Sequence, residues 1–291
     1  MVPEFEWRDR HDANLINSPY FDGDTDVYYY DCNGIYKEIT EHGNGWMTSV
    51  KDQDPCREAS CPNCCYIFGV LGPIEAVTNL FFNYHYDLDL SEQQGLDCDS
   101  WNNGCNGGWP DRISNIAINH GYVNEDCYPW MDTELTCRKP DYCNGPDPLY
   151  QVKIDNWHTI DRTSVNDIKE ALINHGPLQA CVYLYGPGGQ EYLHSMTLCG
   201  YFIVNEGDVF YNNKGNDSII VENGDNIIGS LCWRFKNSYS PNEDNFGYRD
   251  IIHNPNLFVY SPEHSGDQIF YYEVPVTDLY NYDLEHHCLD E

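Results

Sequence analysis

The strongest hydrophobic pattern in the chain begins at residue 65, where Cys65-Tyr66-Ile67-Phe68-Gly69-Val70-Leu71-Gly72-Pro73-Ile74-Glu75-Ala76 follows the cysteine-rich loop Ser60-Cys61-Pro62-Asn63-Cys64. Phe68, Leu71 and Glu75 fall at i, i+3 and i+7, a spacing that predicts a helix entered from that loop. A second, shorter pattern runs from Leu90 to Asp99, with Ser91 placed to N-cap a brief helix. Residues 165–177 form an amphipathic helix pattern that stops at Gly176-Pro177. Residues 178–185 then read as a strand by composition, and further strands are predicted at 195–204, 219–221, 231–236 and 246–252. Upstream, residues 2–9 read as an extended, partly buried leading segment, and residues 11–45 as a long polar surface excursion that carries Cys32. A helical first half and a β-rich second half predict an α+β chain with a cleft between two lobes. The sequence has no internal repeat, and its one biased segment is the acidic, Tyr-rich tail after about residue 275.

Composition narrows the reading. The 291 residues suffice for a substantial core, and a hydrophobic content of 41% argues against disorder despite 47 acidic and only 15 basic residues. The net charge of -32 argues against nucleic acid and anionic membrane surfaces as direct partners. It suits an acidic compartment or cationic partners without choosing between them. Fourteen cysteines at dispersed spacings fit an oxidising compartment with several disulfides better than the cytosol. Asn216-Asp217-Ser218 has the form of a glycosylation sequon. The sequence is expected to contain no membrane span and no signal peptide at Met1, so that, for a secreted protein, this chain is expected to be a processed or re-engineered form.

Candidate chemistry collects at the start of the first helix. A cysteine there faces backbone N–H groups and the positive end of the helix dipole, which favour the nucleophilic thiolate. Such a thiolate needs a base, an orienting group and an oxyanion site. Farther along, Gly107-Gly108 in Cys105-Asn106-Gly107-Gly108-Trp109-Pro110 lets a backbone approach closely, as when an extended peptide docks by main-chain hydrogen bonds.

Several segments together resemble the papain-like cysteine proteases of the cathepsin group. Val2-Pro3-Glu4-Phe5-Glu6-Trp7-Arg8 resembles the start of the mature enzyme, and Thr48-Ser49-Val50-Lys51-Asp52-Gln53 the segment with the oxyanion-hole glutamine. Leu90 to Asp99 and Gly104 to Pro110 resemble the substrate-binding region, and His194 to Tyr201 the catalytic-histidine strand. Trp233-Arg234-Phe235-Lys236-Asn237-Ser238-Tyr239, with Phe246-Gly247-Tyr248 after it, resembles the catalytic-asparagine segment. In the family's order, these motifs cover most of residues 2–250. The resemblance implies a two-lobed α+β fold: a helical N-terminal lobe, an antiparallel β-barrel-like C-terminal lobe, and the active-site cleft between them. The catalytic domain would span 1–275, with the helical lobe at about 46–150, the β-rich lobe at about 151–275, insertions at about 11–45 and 202–230, and a tail at 276–291.

The resemblance leaves two adjacent cysteines competing for the nucleophile. Counting forward from the Cys-x-x-Cys loop selects Cys64, whereas counting back from Phe68, Gly72 and Glu75 selects Cys65. Loops accept insertions more readily than helices, so the helix register favours Cys65. The alternative is that both are oxidised. The implied roles are Cys65 as nucleophile, His194 as general base and then acid, Asn237 as its orienter, and Gln53 as oxyanion donor with the Cys65 N–H. Gly107 and Gly108 would pair with the substrate backbone, while Trp109 and Pro110 wall the pocket for the second residue before the scissile bond. Leu193 and Ser195 would line that pocket, giving it an apolar preference, and Tyr239 stands where the family has a tryptophan shielding the histidine. Cys61–Cys105 and Cys98–Cys137 are the implied disulfides.

Polypeptide substrates are the implied partners, with a propeptide, cystatin-like inhibitors or a larger assembly as others, and no cofactor or metal is implied. The resemblance to the start of the mature enzyme carries the expectation that no inhibitory propeptide precedes Val2. The expected location is secreted or a lysosome- or vacuole-like compartment. The competing reading is a catalytically inactive papain-fold protein with a structural or binding role in an extracellular or surface assembly.

Overall fold

The computed structural model describes residues 2–8, 25–30, 36–41, 45–55, 61–83, 88–138, 152–186, 188–211, 218–240 and 247–274. Cys32, Cys56, Cys143, Cys288, Asn216 and Asp217 of the sequon, Phe246 and the tail 276–291 lie outside them. The chain opens with β1 (Phe5–Glu6), followed by the antiparallel pair β2 (Thr25–Tyr30) and β3 (Tyr36–Glu41). Next come α1 (Cys65–Phe82), α2 (Glu92–Cys98), α3 (Pro110–Asn119), β4 (Asn156–Thr159) and α4 (Val165–His175). The remainder is strand: β5 (Leu178–Tyr185), β6 (Glu191–Ile203), β7 (Val209–Tyr211), β8 (Ser218–Ile220), β9 (Leu231–Lys236) and β10 (Tyr248–Ile252), then β11 (Tyr260–Ser261), β12 (Gly266–Asp267) and β13 (Ile269–Glu273).

The expected cap at Ser91 forms, and Ser164 supplies a second one. Ser91 accepts a hydrogen bond from the Gln94 N–H at 3.0 Å at the start of α2, and Ser164 accepts one from the Asp167 N–H at 3.3 Å at the start of α4. Helix α1 ends at Asn83, whose left-handed φ of 53° turns its N–H onto the Asn79 and Leu80 carbonyls. Every residue from Tyr66 to Asn79 is buried, so α1 is enclosed all round rather than along one stripe. By length and composition α1 is long and apolar enough to cross a bilayer, which the sequence reading did not expect of any run, but most of it is covered by protein, and a core helix needs the same apolar surface.

One side of α1 packs with α2 and α3 residues such as Leu96, Ile113 and Ala117. Its other side meets β6. A Cβ on Gly69 would stand 2.9 Å from the Ser195 carbonyl carbon and would also collide with the Ser195 hydroxyl, while one on Gly72 would collide with the Thr197 hydroxyl. Glycine at these positions therefore sets the distance between the helix and the strand that carries His194. Gly69→Ala is expected to destabilise the protein by about 1–3 kcal/mol through overpacking, read as a lower urea midpoint with an unchanged slope.

Among the described residues the main sheet has seven strands, ordered β10-β9-β6-β5-β13-β4, with β1 added along β6. Every pairing in it is antiparallel. The strand expected at 195–204 starts earlier, at Glu191, because β6 pairs with β5 back to Tyr185. The segment after residue 252, for which the sequence predicts no strand, supplies β13, which joins β5 to β4. Strand β8, expected at 219–221, pairs with β7 outside the main sheet.

Candidate active site

The sheet brings together two polar residues that lie far apart in sequence. Antiparallel pairing of β6 with β9 sets Thr197 opposite Lys236, so His194 and Asn237, just past the end of β9, become neighbours. The imidazole Nε2 lies 2.7 Å from Asn237 Oδ1, and the Ser238 N–H also donates to that oxygen at 2.9 Å. An oxygen at Oδ1 accepts both bonds, which places the neutral ring's proton on Nε2 and leaves Nδ1 as the basic nitrogen. Tyr239 stacks on the ring, with centroids 4.6 Å apart and planes 15° from parallel, and its hydroxyl is 3.4 Å from Nδ1.

Cys65 is the first residue of α1 and carries a free thiol. Together with Leu193, His194, Ser195, Gly107, Gly108 and Trp109 it lines a cavity of about 540 Å³. Burial pushes the Cys65 thiol up, against backbone hydrogen bonds from Ser195, Tyr66 and its own N–H that favour the thiolate. Burial also lowers His194 to about 4; the bond to Asn237 acts the other way and Arg249 adds to the lowering. Burial thus acts against the charged form of both groups, while backbone hydrogen bonds at Cys65 and the Asn237 bond at His194 act for it. Among the described residues the imidazole's hydrogen bonds go to Asn237 and Tyr239.

Gln53 is fully buried rather than an exposed loop residue. Its Nε2 donates to the Pro62 carbonyl at 2.8 Å, its Oε1 accepts from the Ser238 hydroxyl at 2.6 Å, and its backbone N–H donates to the Ser238 carbonyl at 2.9 Å. The side chain is thus fixed between the cysteine loop and the segment following His194's partner, with one amide N–H uncommitted to Pro62. Pro110 and Tyr239 are not cavity-lining: Pro110 begins α3 and Tyr239 covers the imidazole. Lining residues that escaped the sequence reading include Trp101, Asn102 and Asn103, Cys181 on β5, and His264, which stacks on Trp109 with centroids 4.5 Å apart. Cys181 was one of many cysteines without a motif, and no motif covers His264.

Cys98 and Cys137 are bonded. Cys61 Sγ lies within bonding reach of both Cys64 and Cys105. The free cysteines among the described residues are Cys65, Cys181, Cys199 and Cys232.

A free thiol at a helix start and an amide-oriented imidazole from neighbouring strands, meeting at one cavity, define a cysteine–histidine site on an α+β scaffold. The chain belongs to the papain family: the profile described as "Papain family cysteine protease" matches residues 37–264. It is similar to the thiol protease SEN102 of Hemerocallis sp., with 29% identity over 215 residues covering 72% of this chain and 52% of that protein. Chymopapain of Carica papaya is 27% identical over 244 residues, 76% of this chain and 64% of that protein. The chain thus spans between about half and two thirds of the length of these relatives. Among solved structures, the bromelain protease of Ananas comosus in complex with the E64 inhibitor superposes with a TM-score of 0.57 at 20% identity, over 94% of this chain and all of that one, which shows the shared papain fold.

Proposed function

We propose that this chain is a cysteine-type endopeptidase acting through Cys65 and His194. The observation that carries the reading is the placement of the free Cys65 thiol and the Asn237-bound imidazole on one cavity walled by Gly107, Gly108 and Trp109. As a peptide carbonyl enters, His194 Nδ1 takes the thiol proton while the sulfur adds to the carbonyl carbon. The Cys65 backbone N–H and the uncommitted Gln53 amide N–H donate to the resulting oxyanion. The imidazolium then protonates the leaving amine, giving a thioester at Cys65, and water attacks that thioester with His194 again acting as base. Asn237 is a positioning residue that holds Nε2, and Tyr239 excludes water from that bond. Domain limits of 1–275 with a tail, and a secreted or lysosome-like setting, accompany this reading. Propeptides are plausible partners in view of proforms among the structural neighbours, such as the Amb a 11 cysteine protease in its proform.

A second reading, a catalytically inactive papain-fold component, is favoured by the burial of Cys65 and His194, which opposes the charged form of each. Labelling with an epoxide of the E64 type followed by peptide mapping separates the two. Stoichiometric modification of Cys65 in native, reduced protein is expected for the enzyme, and an unmodified Cys65 would establish the inactive reading. The pH profile provides a further expected result. With His194 acting as a neutral base and lowered to about 4 by burial, the acid limb of kcat/KM is expected near pH 4, where protonation of the free protein's imidazole removes the base. An acid limb near the ordinary histidine value of about 6.5 would contradict it.

A further inference from the structure

Cys61, Cys64 and Cys105 place three sulfurs within 4.8 Å of one another beneath the start of α1. Three cysteines form one disulfide and leave one thiol over. The Cα–Cα separations are 6.2 Å for Cys61 and Cys64 and 4.4 Å for Cys61 and Cys105, both within the range a disulfide spans. Cys61 is therefore the shared member, and either neighbour can be the odd thiol.

We propose that these residues form a thiol–disulfide exchange site with two isomers. In one, Cys61–Cys105 is bonded and Cys64 is the thiol. Cys64 loses its proton to solvent, its thiolate attacks Cys61 Sγ, the Cys61–Cys105 bond breaks with its electron pair going to Cys105, and Cys105 takes up a proton. The product is Cys61–Cys64 with a Cys105 thiol, and the exchange consumes neither oxidant nor reductant. Cys64 occupies the N-cap of the 18-residue helix α1, where the helix field works for the attacking thiolate and burial works against it, so exchange is slow.

The two isomers tie different parts of the site. Cys61–Cys105 staples the loop before α1 to the turn Gly104–Asn106, which leads into cavity-lining Gly107 and Gly108. Cys61–Cys64 instead clips the two residues Pro62 and Asn63, and Pro62 supplies the carbonyl that holds the Gln53 amide. Exchange thus moves a covalent constraint from the wall bearing the glycines to the loop that positions Gln53. Any consequence for turnover rests on the proposed peptidase reading, whereas the linkage itself does not.

The test uses the full chain in a Cys65→Ala background, so that no catalytic thiol competes and peptidase activity plays no part. Thiols are trapped with N-ethylmaleimide, the chain is digested without reduction, and linked peptides are mapped by mass spectrometry before and after incubation in a glutathione buffer. The expected result is both linkages, with the adduct on Cys64 in one isomer and on Cys105 in the other, and a ratio that changes on incubation. Cys64→Ser is expected to leave only Cys61–Cys105, and Cys105→Ser only Cys61–Cys64. A single unchanging linkage, Cys64 joined to a fourth cysteine, or stoichiometric zinc shielding all three sulfurs from the maleimide would overturn the proposal. Epoxide labelling of Cys65 in the wild type reports separately on the peptidase.

Discussion

Replacing Cys65 by alanine is expected to lower the rate of peptide hydrolysis by about 10⁴-fold or more, and His194→Ala to cause a loss of similar size. The double variant should be little worse than either single one, because thiol and imidazole act as a unit and removing either disables the same proton transfer and addition. Steady-state kinetics on a fluorogenic peptide, together with unchanged far-UV circular dichroism, measures this. Full additivity of the two losses would show that the residues do not cooperate. Asn237→Ala should cost less, since it frees the ring without deleting it, and should widen the pH dependence as the imidazole loses its fixed tautomer.

The largest effect on stability is expected at Glu75. Its carboxylate is 1% exposed and accepts from the Thr48 hydroxyl, from the Leu90 N–H at 2.8 Å and from Lys51 Nζ at 3.0 Å, with Lys236 Nζ 3.9 Å away. Burial alone would lower the Lys51 pKa, but Asp89, Glu75 and Glu92 reverse that and hold it well above the usual lysine value. The buried carboxylate therefore joins α1 both to the segment that precedes Gln53 and to the end of β9. Glu75→Ala leaves the Leu90 amide without this acceptor and removes the buried charge that faces Lys51, and is expected to cost about 3–5 kcal/mol. Equilibrium urea unfolding measures it. Glu75→Gln keeps an acceptor for Leu90 and should cost less, and equal losses in the two variants would show that the charge contributes nothing.

In the same network burial raises Glu92 to about 7, with Glu75 and Asp89 adding to the rise and Lys51 opposing it. A carboxyl raised in the folded state binds more protons than the unfolded chain does between its ordinary value and about 7. The Glu92 contribution to stability is thus present at acid pH and is lost as pH rises through that window. His194 has the opposite sign. Its folded value of about 4 lies below the ordinary histidine value, so its contribution falls as pH drops from about 6.5 toward 4.

The sequence by itself determined the elements whose signals are local. Helix α1 follows from apolar spacing after a polar loop, α2 from a serine placed to accept the first free N–H groups, α4 from an amphipathic pattern closed by Gly176-Pro177, and β5, β6 and β9 from runs of residues that suit a pleated surface. The residues gathered at the cavity were also legible, because Cys65, His194 and Asn237 sit within motifs that resemble one family. Other features depend on contacts between distant segments and left no local trace. Strand β13 becomes the link between β5 and β4 only because Ile269 pairs with Ala180 and Phe270 with Thr159 across a long chain separation. His264 reaches the cavity by stacking on Trp109, and Cys61 becomes shared only when the turn at Gly104–Asn106 folds against the loop. How strongly burial opposes the charged forms of Cys65 and His194 was likewise decided by tertiary structure. A helix start favours a thiolate wherever it lies, but the amount of water removed from Cys65 and His194 depends on what the completed fold packs around them.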